Sequence, residues 1–373
     1  MKTVTQWLQF PTETISDPGF NPDWILVFSN ESREDADVVA RRLQAQFPGV
    51  LLTGCSTAGS IDGRSLRETG SVVQFLRFEK GEVRAHWVQL EPDGSEVAGK
   101  ALAAQLNTPE LEHLIVLSDG LNVNGTALVQ GLTMVLGHRV SITGGLAGDG
   151  DRFRETWVYN ALGSAQSDVI CGIGLYKPVW EIGFGSMGGW SAFGIERLVT
   201  RSRGNVLYEI DGQPALDLYK SYLGERSADL PASGLLFPLS IRINAEDRPV
   251  VRTILGIDET QRSLIFAGDI PQGSYAKLMN ASVDRLLRGA EAAAQTAVEA
   301  LEETPEWALL VSCVGRKLVL KQMVEEELEW VESVVQSPAV SGFYSYGEIA
   351  PFRKGLACDV HNQTMTITTF RER

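Results

Sequence analysis

The chain reads SGFYSYGEIAP at residues 341–351 and HNQT at residues 361–364, and apolar, strand-like sequence surrounds both stretches. The first stretch places aromatic residues between Gly342 and Gly347. The two stretches together contain the carboxyl group of Glu348, the imidazole of His361 and the amide groups of residues 362 and 363. Polar side chains this dense between apolar strands need hydrogen-bond partners, either in the protein or in a ligand. We therefore predict that Glu348, Asn362 and Gln363 face inward at least in part.

Outward from these stretches, strand and helix patterns alternate along the chain. Apolar residues recur at helical spacing over residues 34–47, whereas residues 24–28 and 307–312 are short apolar runs typical of buried strands. One order of elements occurs in both halves: hairpin, helix, strand, helix, short strand, polar glycine loop, hairpin. The pattern predicts a mixed α+β (α/β) fold of two similar halves, each a mixed β-sheet layered with helices.

Within this duplication, strands expected at residues 248–257 and 263–267 correspond to a hairpin expected at residues 71–90. The glycine-rich residues 183–194 are interpreted as a flexible connector between the halves. A chain of 373 residues exceeds what one hydrophobic core usually serves. We therefore expect two domains, at residues 1–215 and 216–373.

The composition favours a soluble cytoplasmic protein and argues against two classes of partner. With 33 basic and 47 acidic residues the net charge is −14, which disfavours nucleic acid and anionic membranes. No apolar run approaches the roughly 18 residues that span a bilayer, and residues 1–10 lack the pattern of a signal peptide. The four cysteines include no C-x-x-C pair, so a disulfide scaffold is not expected.

Three motif-like patterns fail as cofactor or metal sites. Residues 183–188 match G-x-G-x-x-G, but a strand-like run follows where dinucleotide binding needs a helix. Residues 94–100 match G-x-x-x-x-G-K, yet Ala101 stands where a phosphate-binding loop needs Ser or Thr. Cys358 and His361 are three residues apart on a predicted strand, so they point to opposite faces. We predict no cofactor and no metal.

Two loops rich in small residues follow predicted strands, at residues 54–60 and 144–150. Their glycines allow successive N–H groups to converge on a carboxylate or phosphate, or simply allow a tight turn with helix capping. Both interpretations stay open for each loop, although two such loops in one half favour a pocket. The candidate ligand-binding residues here are Gly54, Cys55, Ser56, Thr57, Gly144, Gly145 and Asp149.

Arg316 opens a predicted helix just after the strand that ends at Cys313. Its guanidinium can bind a ligand carboxylate through two parallel hydrogen bonds. It can equally form an ion pair with Glu325, Glu326 or Glu348. The sequence does not distinguish these two roles.

Several of these segments resemble the FIST family, in which an N-terminal and a C-terminal FIST domain occur as a pair. The similarity extends over nearly the whole chain, and the two C-terminal stretches are its most specific part. Resemblance to the FIST N domain lies in residues 54–59, 144–149 and 199–219, and resemblance to the FIST C domain in residues 252–273, 313–316, 342–351 and 358–364.

The resemblance implies a sensory input module of signal transduction that binds small molecules, with amino acids the usual suggestion. Many relatives carry an output segment such as a kinase or cyclase, which this sequence does not show. A separate signalling protein is therefore expected as partner. In such a sensor the loop amides would bind a ligand carboxylate, and Asp149 or Glu348 would bind an ammonium group. The remaining candidate ligand-binding residues are Arg316, Tyr344, Tyr346, His361 and Asn362.

An enzyme is the alternative function. Cys313 or Cys358 could be the nucleophile, with His361 as base and Glu348 as the residue that orients it. No local signature fixes their geometry, and thiols near strands are usually inert core residues. A pure interaction scaffold is a third possibility, with no specific feature in its favour. A fast-reacting, acidic thiol would indicate the enzyme, and stabilisation by a ligand without turnover would indicate the sensor.

Overall fold

The computed structural model describes residues 1–9, 13–91, 94–244, 246, 249–351 and 358–373. We divide it into unit 1 (residues 2–77), unit 2 (82–176), unit 3 (180–187 with 283–372) and an insert (190–281). Unit 1 contains β1 (Lys2–Leu8), β2 (Trp24–Ser29), α1 (Arg33–Gln46), β3 (Leu51–Ser56), β4 (Ser60–Asp62), β5 (Ser65–Arg67) and β6 (Ser71–Arg77). Unit 2 contains β7 (Glu82–Gln89), α2 (Ser95–Leu106), β8 (Leu111–Ser118), α3 (Gly125–Leu136), β9 (Ser141–Leu146), β10 (Val158–Tyr159), β11 (Ala165–Gln166) and β12 (Val169–Tyr176).

Unit 3 is interrupted by the insert after its first strand, β13 (Trp180–Met187). The insert contains β14 (Trp190–Arg203), β15 (Val206–Ile210), β16 (Gln213–Pro214), α4 (Ala215–Leu223), β17 (Leu239–Arg242), β18 (Val250–Arg252), β19 (Ile254–Asp258), β20 (Ser263–Phe266) and β21 (Tyr275–Ala281). Unit 3 then continues with α5 (Val283–Val298), β22 (Trp307–Cys313), α6 (Val314–Leu320), α7 (Val324–Val335), β23 (Val340–Ser345), β24 (Gly347–Pro351), β25 (Cys358–His361) and β26 (Met365–Glu372). Short 3₁₀ turns lie at Gly224–Asp229, Ala232–Leu236 and Lys321–Met323.

Each unit builds a sheet on the same plan. Its centre is a parallel strand pair joined through a helix: β2 with β3, β8 with β9, and β22 with β23. On one side of that pair lie two antiparallel strands of the same unit: β6 and β1, β12 and β7, or β26 and β13. The three sheets therefore share one strand order.

The other side of each parallel pair is completed by a hairpin from a different unit. The β4–β5 hairpin of unit 1 pairs with β23 of unit 3, and the β10–β11 hairpin of unit 2 pairs with β3 of unit 1. The β24–β25 hairpin of unit 3 pairs with β9 of unit 2 and closes the cycle. Three hairpins are thus exchanged in a ring, which gives the molecule a pseudo-threefold axis.

The three parallel pairs also share a local signature. In each, a glycine lies opposite an apolar residue of the neighbouring strand, and a hydroxyl residue precedes the glycine. That hydroxyl group hydrogen-bonds to a ring nitrogen of the opposite strand, at 2.8 Å for Trp24 with Thr53, 2.9 Å for His113 with Thr143 and 3.0 Å for Trp307 with Ser341. The glycines are Gly54, Gly144 and Gly342. The equivalence therefore extends from topology to single side chains.

The inner faces of the three sheets enclose one apolar core, which contains Trp24, Ile115 and Trp307. Helices cover the outer faces, as α1 does with its buried stripe of Ala36, Val39, Ala40 and Leu43. Because apolar residues recur at i, i+3, i+4 and i+7, this helix buries one side and exposes the other. The insert has a separate core of its own.

The mixed α+β fold predicted from the sequence is confirmed, and helices do layer onto mixed sheets. The repeated order of elements detected in the two halves corresponds to units 2 and 3, and unit 1 shares their strand order although it has no helix between β1 and β2. The counterpart of β7 in unit 3 is β13, not the strands near residues 248–267, which belong to the insert.

Residues 183–194, interpreted as a flexible connector, instead contribute to two strands, β13 and β14. Their glycines allow α5 to pack directly on β13. A Cβ atom on Gly183 would lie 1.8 Å from the Ala297 carbonyl oxygen, and one on Gly185 would lie 2.1 Å from that of Ala293. Close approach of a helix, rather than chain flexibility, explains the glycine content here.

Several strand pairings join residues 1–215 to residues 216–373, the two ranges that were predicted as domains. β4 of the first range pairs with β23 of the second, and β13 pairs with β26. β9 pairs with β24, and β14 of the insert pairs with β21. Backbone hydrogen bonds therefore run between the two ranges in several sheets.

Candidate functional site

The loops that follow the three parallel pairs meet at one end of the pseudo-threefold axis. The amide of Ala58 donates to the Tyr344 carbonyl at 2.8 Å, that of Gly148 to Ser56 at 3.1 Å, and that of Tyr346 to Leu146 at 3.1 Å. Each donor lies four residues after the signature glycine of its unit, and each acceptor lies two residues after it. The carboxyl ends of parallel strands are where α/β sheets commonly bind ligands.

Beside this ring of loops lies a cleft that we call the axial groove. It consists of adjoining pockets of about 280 Å³ and 580 Å³ that share Asp151, Arg152 and Leu318. The smaller pocket is also lined by Asn30, Thr57, Ala58, Gly59, Glu68, Asp149, Gly150, Val314 and Lys317. The larger is also lined by Phe153, Asp229, Leu230, Pro231, Ser233, Leu235, Leu236, Ile254 and Leu255. All three units and the insert therefore contribute to it.

Two cationic side chains, Lys317 and Arg152, line the axial groove, and they differ in how far their charges are paired. Lys317 is engaged, because its Nζ donates to the Ala58 carbonyl at 2.9 Å and pairs with Glu68 at 2.6 Å. Arg152 donates its Nε to the Asp149 carbonyl at 2.7 Å and lies 3.8 Å from Asp149 Oδ2, while its side chain stays 60% exposed. Within the described part of the chain, the terminal nitrogens of Arg152 make no hydrogen bond. Arg152 is therefore available to an anion.

The larger pocket is mainly apolar, with polar atoms behind its wall. Ser233 lines it, and the buried Oγ of Ser233 has no hydrogen-bond partner among the described residues. Gln363 Nε2 donates to the carbonyl of Leu235 at 2.9 Å, and Asn362 Oδ1 accepts from the Thr253 amide at 3.4 Å. The other polar atom of each side-chain amide, Asn362 Nδ2 or Gln363 Oε1, is buried and has no hydrogen-bond partner among the residues that the structure describes.

The inward orientation predicted for Glu348, Asn362 and Gln363 is confirmed, since each is fully buried. Asn362 and Gln363 join the C-terminal strands to the insert. Glu348 accepts hydrogen bonds from Ser345 Oγ at 2.7 Å and from Thr364 N and Oγ1 at 3.1 and 2.9 Å. Burial outweighs these bonds and raises the pKa of Glu348 to about 8.

The raised pKa of Glu348 predicts a pH-dependent loss of stability. The folded state holds this proton up to about pH 8, whereas the unfolded chain releases it near its ordinary pKa of 4.5, so the stabilisation is complete below pH 4.5 and declines as the pH rises through 8. Between pH 7 and 9 the wild type should lose roughly 1 kcal/mol of unfolding free energy that Glu348→Gln does not lose. Urea unfolding at both pH values measures the difference.

His113 acts in the opposite direction, because burial lowers its pKa to about 3 and favours unfolding as the pH falls below 6.5. Above pH 7 His113 is mainly neutral in both the folded and the unfolded chain, so it does not affect the comparison of the wild type with Glu348→Gln. Identical pH slopes for the wild type and Glu348→Gln over that range would show that the carboxyl group does not ionise there.

Of the two interpretations left open for the glycine loops, the structure favours tight turns, because the amides of residues 57, 58, 147 and 148 already have partners. The Thr57 and Ala147 amides donate to the Ser29 and Ser118 carbonyls at 3.0 and 2.8 Å, and those of Ala58 and Gly148 form the ring described above. Gly54, Cys55, Gly144 and Gly145 lie within β3 and β9 as buried strand residues, and Ser56 Oγ accepts from the Trp157 amide at 3.0 Å. Thr57 and Asp149 do line the smaller pocket.

Asp149, predicted to bind an ammonium group, organises its own loop instead. Its carboxylate accepts from the amides of Phe153, Arg154 and Glu155 at 2.9, 2.9 and 3.0 Å. It also accepts the hydroxyl of Tyr346, which is buried and stacks on Phe153. Four donors leave this carboxylate little capacity for a ligand.

Arg316 is fully buried and pairs with Glu327, a partner outside the three acids considered from the sequence. Its Nη1 donates to the Gly188 carbonyl at 3.1 Å and its Nη2 to that of Leu286 at 2.8 Å. The hydroxyl of Tyr344 donates to the other oxygen of Glu327 at 3.2 Å. Arg316, Glu327 and Tyr344 therefore form a closed internal network rather than a ligand surface.

The cysteine-dependent alternative gains no support from the geometry. Burial, with a smaller effect of the Glu348 carboxyl, raises the pKa of the Cys313 thiol, and burial also raises that of Cys358. Cys358 Sγ donates to the Ile142 carbonyl at 3.4 Å, and His361 Nε2 hydrogen-bonds to the Ala350 carbonyl at 2.9 Å. Both thiols are held protonated, which disfavours nucleophilic attack.

The groove-lining residues that the sequence interpretation missed include Arg152, Lys317 and the pocket wall at residues 229–236. Arg152 lies two residues after the loop at residues 144–150, and Lys317 directly follows Arg316, so both were within reach of the same reasoning. The residues from 229 to 236 carry no motif. They reach the groove only because the insert folds back over α6.

Comparison with known proteins finds two adjacent family matches along the chain. A family model described as the FIST N domain matches residues 23–213, and one described as the FIST C domain matches residues 215–351. The chain is also similar to MJ1623, an uncharacterized protein of Methanocaldococcus jannaschii, at 23% identity over 368 residues that cover 87% of this chain and 69% of that protein. None of the described helices is long and apolar enough to cross a membrane.

Proposed function

Because the chain belongs to the FIST family, whose domains are sensory modules of signal transduction, we propose that it senses a small molecule bound in the axial groove. The observation that carries the proposal is the position of the groove, between the loops of all three units and the insert. A pocket of about 580 Å³ suits a small metabolite. A ligand there would contact unit 2, unit 3 and the insert, and the adjoining smaller pocket connects it to unit 1.

The lining of the larger pocket favours an amino acid with an apolar side chain. Leu235, Leu236 and Ile254 offer an apolar wall for that side chain. Arg152 offers a guanidinium for the carboxylate, and guanidinium–carboxylate pairs form two parallel hydrogen bonds. Asp151 and Asp229, which line the same pocket, offer carboxylates for the ammonium group.

The insert supplies one wall of the groove, so ligand binding would fix the insert against the three units. A separate signalling protein, acting as the output partner, would then distinguish the two states by the position or rigidity of the insert. A ligand can shift such an equilibrium only through its different affinity for the two states. The contacts of Asn362 and Gln363 with the insert are the hydrogen bonds that such a change would alter.

Arg152→Ala is expected to weaken binding of leucine, methionine or phenylalanine by at least about tenfold, because one charge-assisted contact contributes roughly 1.4 kcal/mol or more. For the wild type, a ligand at about a hundred times its Kd should stabilise the fold by roughly 2.7 kcal/mol. Calorimetric titration and thermal unfolding measure these two quantities.

Arg154→Ala is the matched control, since Arg154 is also exposed but does not line the groove. The amides of the same amino acids, which lack the carboxylate, should bind no better to the wild type than the acids bind to Arg152→Ala. The proposal fails if no apolar amino acid or related carboxylate stabilises the protein. If Arg154→Ala and Arg152→Ala weakened ligand binding equally, the ligand would not be bound in the axial groove.

A further inference from the structure

A cleft of about 650 Å³ lies between α3 of unit 2 and the strands β17 and β18 of the insert, and we call it the α3 cleft. It shares no lining residue with the axial groove. One wall is a single face of α3, since its residues recur at intervals of three and four. The residues of this face are Thr126, Val129, Gln130, Thr133 and Met134. The insert supplies the opposite wall, and β25 contributes Cys358 and Asp359.

Arg252 forms a fixed, charged end of the α3 cleft. Its side chain is only 5% exposed, and it donates from Nε to the Asp269 carbonyl at 3.1 Å and from Nη1 to the Val360 carbonyl at 2.9 Å. Among the described residues, Nη2 makes no hydrogen bond, and the Asp359 carboxylate lies 3.9 Å from it. Arg252 therefore offers the cleft one nitrogen whose hydrogens are free, with an acceptor group beside it.

Two hydroxyl groups on α3 add to this polar end. The Oγ1 atoms of Thr126 and Thr133 are buried and make no hydrogen bond with any residue that the structure describes. The two threonines are seven residues apart, so they lie on the same face of the helix, the face that lines the cleft. Thr126 also lies close to Arg252, because a Cβ atom on Gly268 would be 3.2 Å from Thr126 Oγ1 and 2.9 Å from Arg252 Nε. Buried hydroxyl groups without a partner are costly, and a ligand that bonds to them removes that cost.

The charges at the α3 cleft favour a neutral ligand. The carboxylates of Asp359 and Asp269 lie near Arg252 and would repel an anion. Because Nε and Nη1 are engaged, Arg252 also has no pair of parallel donors for a carboxylate. A cation would lie against the guanidinium, whose charge is little screened because the side chain is buried. A hydroxyl group fits, since it can accept from Nη2 and donate to a carboxylate or a threonine.

We propose that the α3 cleft binds a neutral polyhydroxylated molecule, such as a monosaccharide, through hydroxyl groups that bond to Arg252, Asp359 and Thr126. Several hydroxyl groups on one ring would serve these donors and acceptors at once. The aliphatic side chains of Ile243 and Val250 offer a surface for the C–H groups of the ring. The volume of the cleft is in the range of small-molecule sites. This site goes beyond the function proposed for the axial groove, because the two share no lining residue.

Saturation-transfer NMR and calorimetric titration with D-glucose, D-galactose, D-mannose and D-ribose test the proposal. Acetate, ethylammonium and acetamide represent the competing classes of anion, cation and neutral amide. At least one sugar should bind at least about tenfold more tightly than each of these three. Thr126→Val should weaken that binding about fivefold, because one neutral hydrogen bond is lost. The same variant should leave the midpoint of thermal unfolding unchanged or raise it, since the hydroxyl group has no partner among the described residues.

Thr108→Val is the matched control, because Thr108 Oγ1 is also buried without a described partner but Thr108 does not line the cleft. Arg152→Ala should leave sugar binding intact, which separates this site from the axial groove. If Thr126→Val and Thr108→Val had equal effects, the sugar would not be bound in the α3 cleft. Binding of acetate, ethylammonium or acetamide as tight as that of the best sugar would overturn the class of ligand. Absence of sugar binding to the folded wild type would overturn the site itself.

Discussion

Glu327→Gln is expected to lower the free energy of unfolding by about 3–5 kcal/mol, one of the largest effects of any single isosteric change in this chain. The substitution keeps the size of the side chain but removes the charge that neutralises Arg316. Both residues are fully buried, so the guanidinium would remain in the core without its anion. The amide keeps only one acceptor oxygen, so its NH2 group would have to face either Arg316 or the Tyr344 hydroxyl. Urea unfolding followed by circular dichroism gives the value.

Glu329→Gln on the same helix is the control, because Glu329 is exposed and its change should cost less than about 0.5 kcal/mol. Replacing both partners, Arg316→Met with Glu327→Met, should be less destabilising than Arg316→Met or Glu327→Gln alone, since no unpaired charge is then buried. A loss below about 1 kcal/mol for Glu327→Gln would contradict the closed network. It would mean that water or another group can neutralise Arg316.

Alanine at any of the three signature glycines is expected to destabilise the protein by roughly 3 kcal/mol or more, because backbone atoms occupy the space. A Cβ atom would lie 2.1 Å from the Val27 carbonyl oxygen at Gly54, 2.0 Å from that of Val116 at Gly144 and 1.9 Å from that of Leu310 at Gly342. Gly54 and Gly144 also have φ angles of 154° and 141°, which L-residues rarely adopt. Thermal and urea unfolding of the three variants measure the effect.

Gly256→Ala provides the comparison within a strand of the insert, because its Cβ atom would meet its nearest neighbour at an ordinary 3.5 Å. Its cost should stay near or below 1 kcal/mol. The pseudo-threefold relation predicts that the Gly54, Gly144 and Gly342 variants behave alike. If one of them were as mild as Gly256→Ala, the shared signature would not reflect a shared packing requirement.

Local sequence patterns were sufficient for the class of fold and for many elements. The apolar spacing of Ala36, Val39 and Leu43 predicted α1, and the short apolar runs predicted β2 and β22, because these signals depend only on neighbouring residues. Exchange of the hairpins could not be predicted in this way. The pairing of β4 with β23, for example, joins Ile61 to Gly342 across most of the chain, and no local pattern encodes it.

Glycine was the residue type whose structural role depended most on tertiary structure. Gly183 and Gly185 looked like a connector, yet they are in a strand that a helix approaches closely. The glycines at 54 and 144 suggested amides free for a ligand, yet neighbouring strands approach the backbone there and the loop amides bind carbonyl groups of their own and of other units. Flexibility, ligand access and close packing all favour glycine, so composition alone does not separate them.

Density of polar residues was more informative than glycine. The stretch around Glu348, Asn362 and Gln363 is buried as predicted, since these side chains lie among apolar strand residues. The sequence could not show that two of them hold the insert in place, because the residues they contact, Leu235 and Thr253, lie far away in the chain. Arg152 lies close to the loop at residues 144–150 in the sequence, but its availability to a ligand depends on which groups its neighbours leave unpaired in the fold.

The ring of exchanged hairpins has a consequence for biosynthesis. A ribosome that has made units 1 and 2 has produced β9 without β24 and β4 without β23, so the nascent chain carries two open strand edges. Those edges stay open until the last strands of unit 3 emerge, and exposed edges are templates for aggregation. Synthesis of this protein should therefore depend on holding chaperones, and premature termination anywhere within unit 3 should leave a product that is cleared or aggregates rather than a functional half.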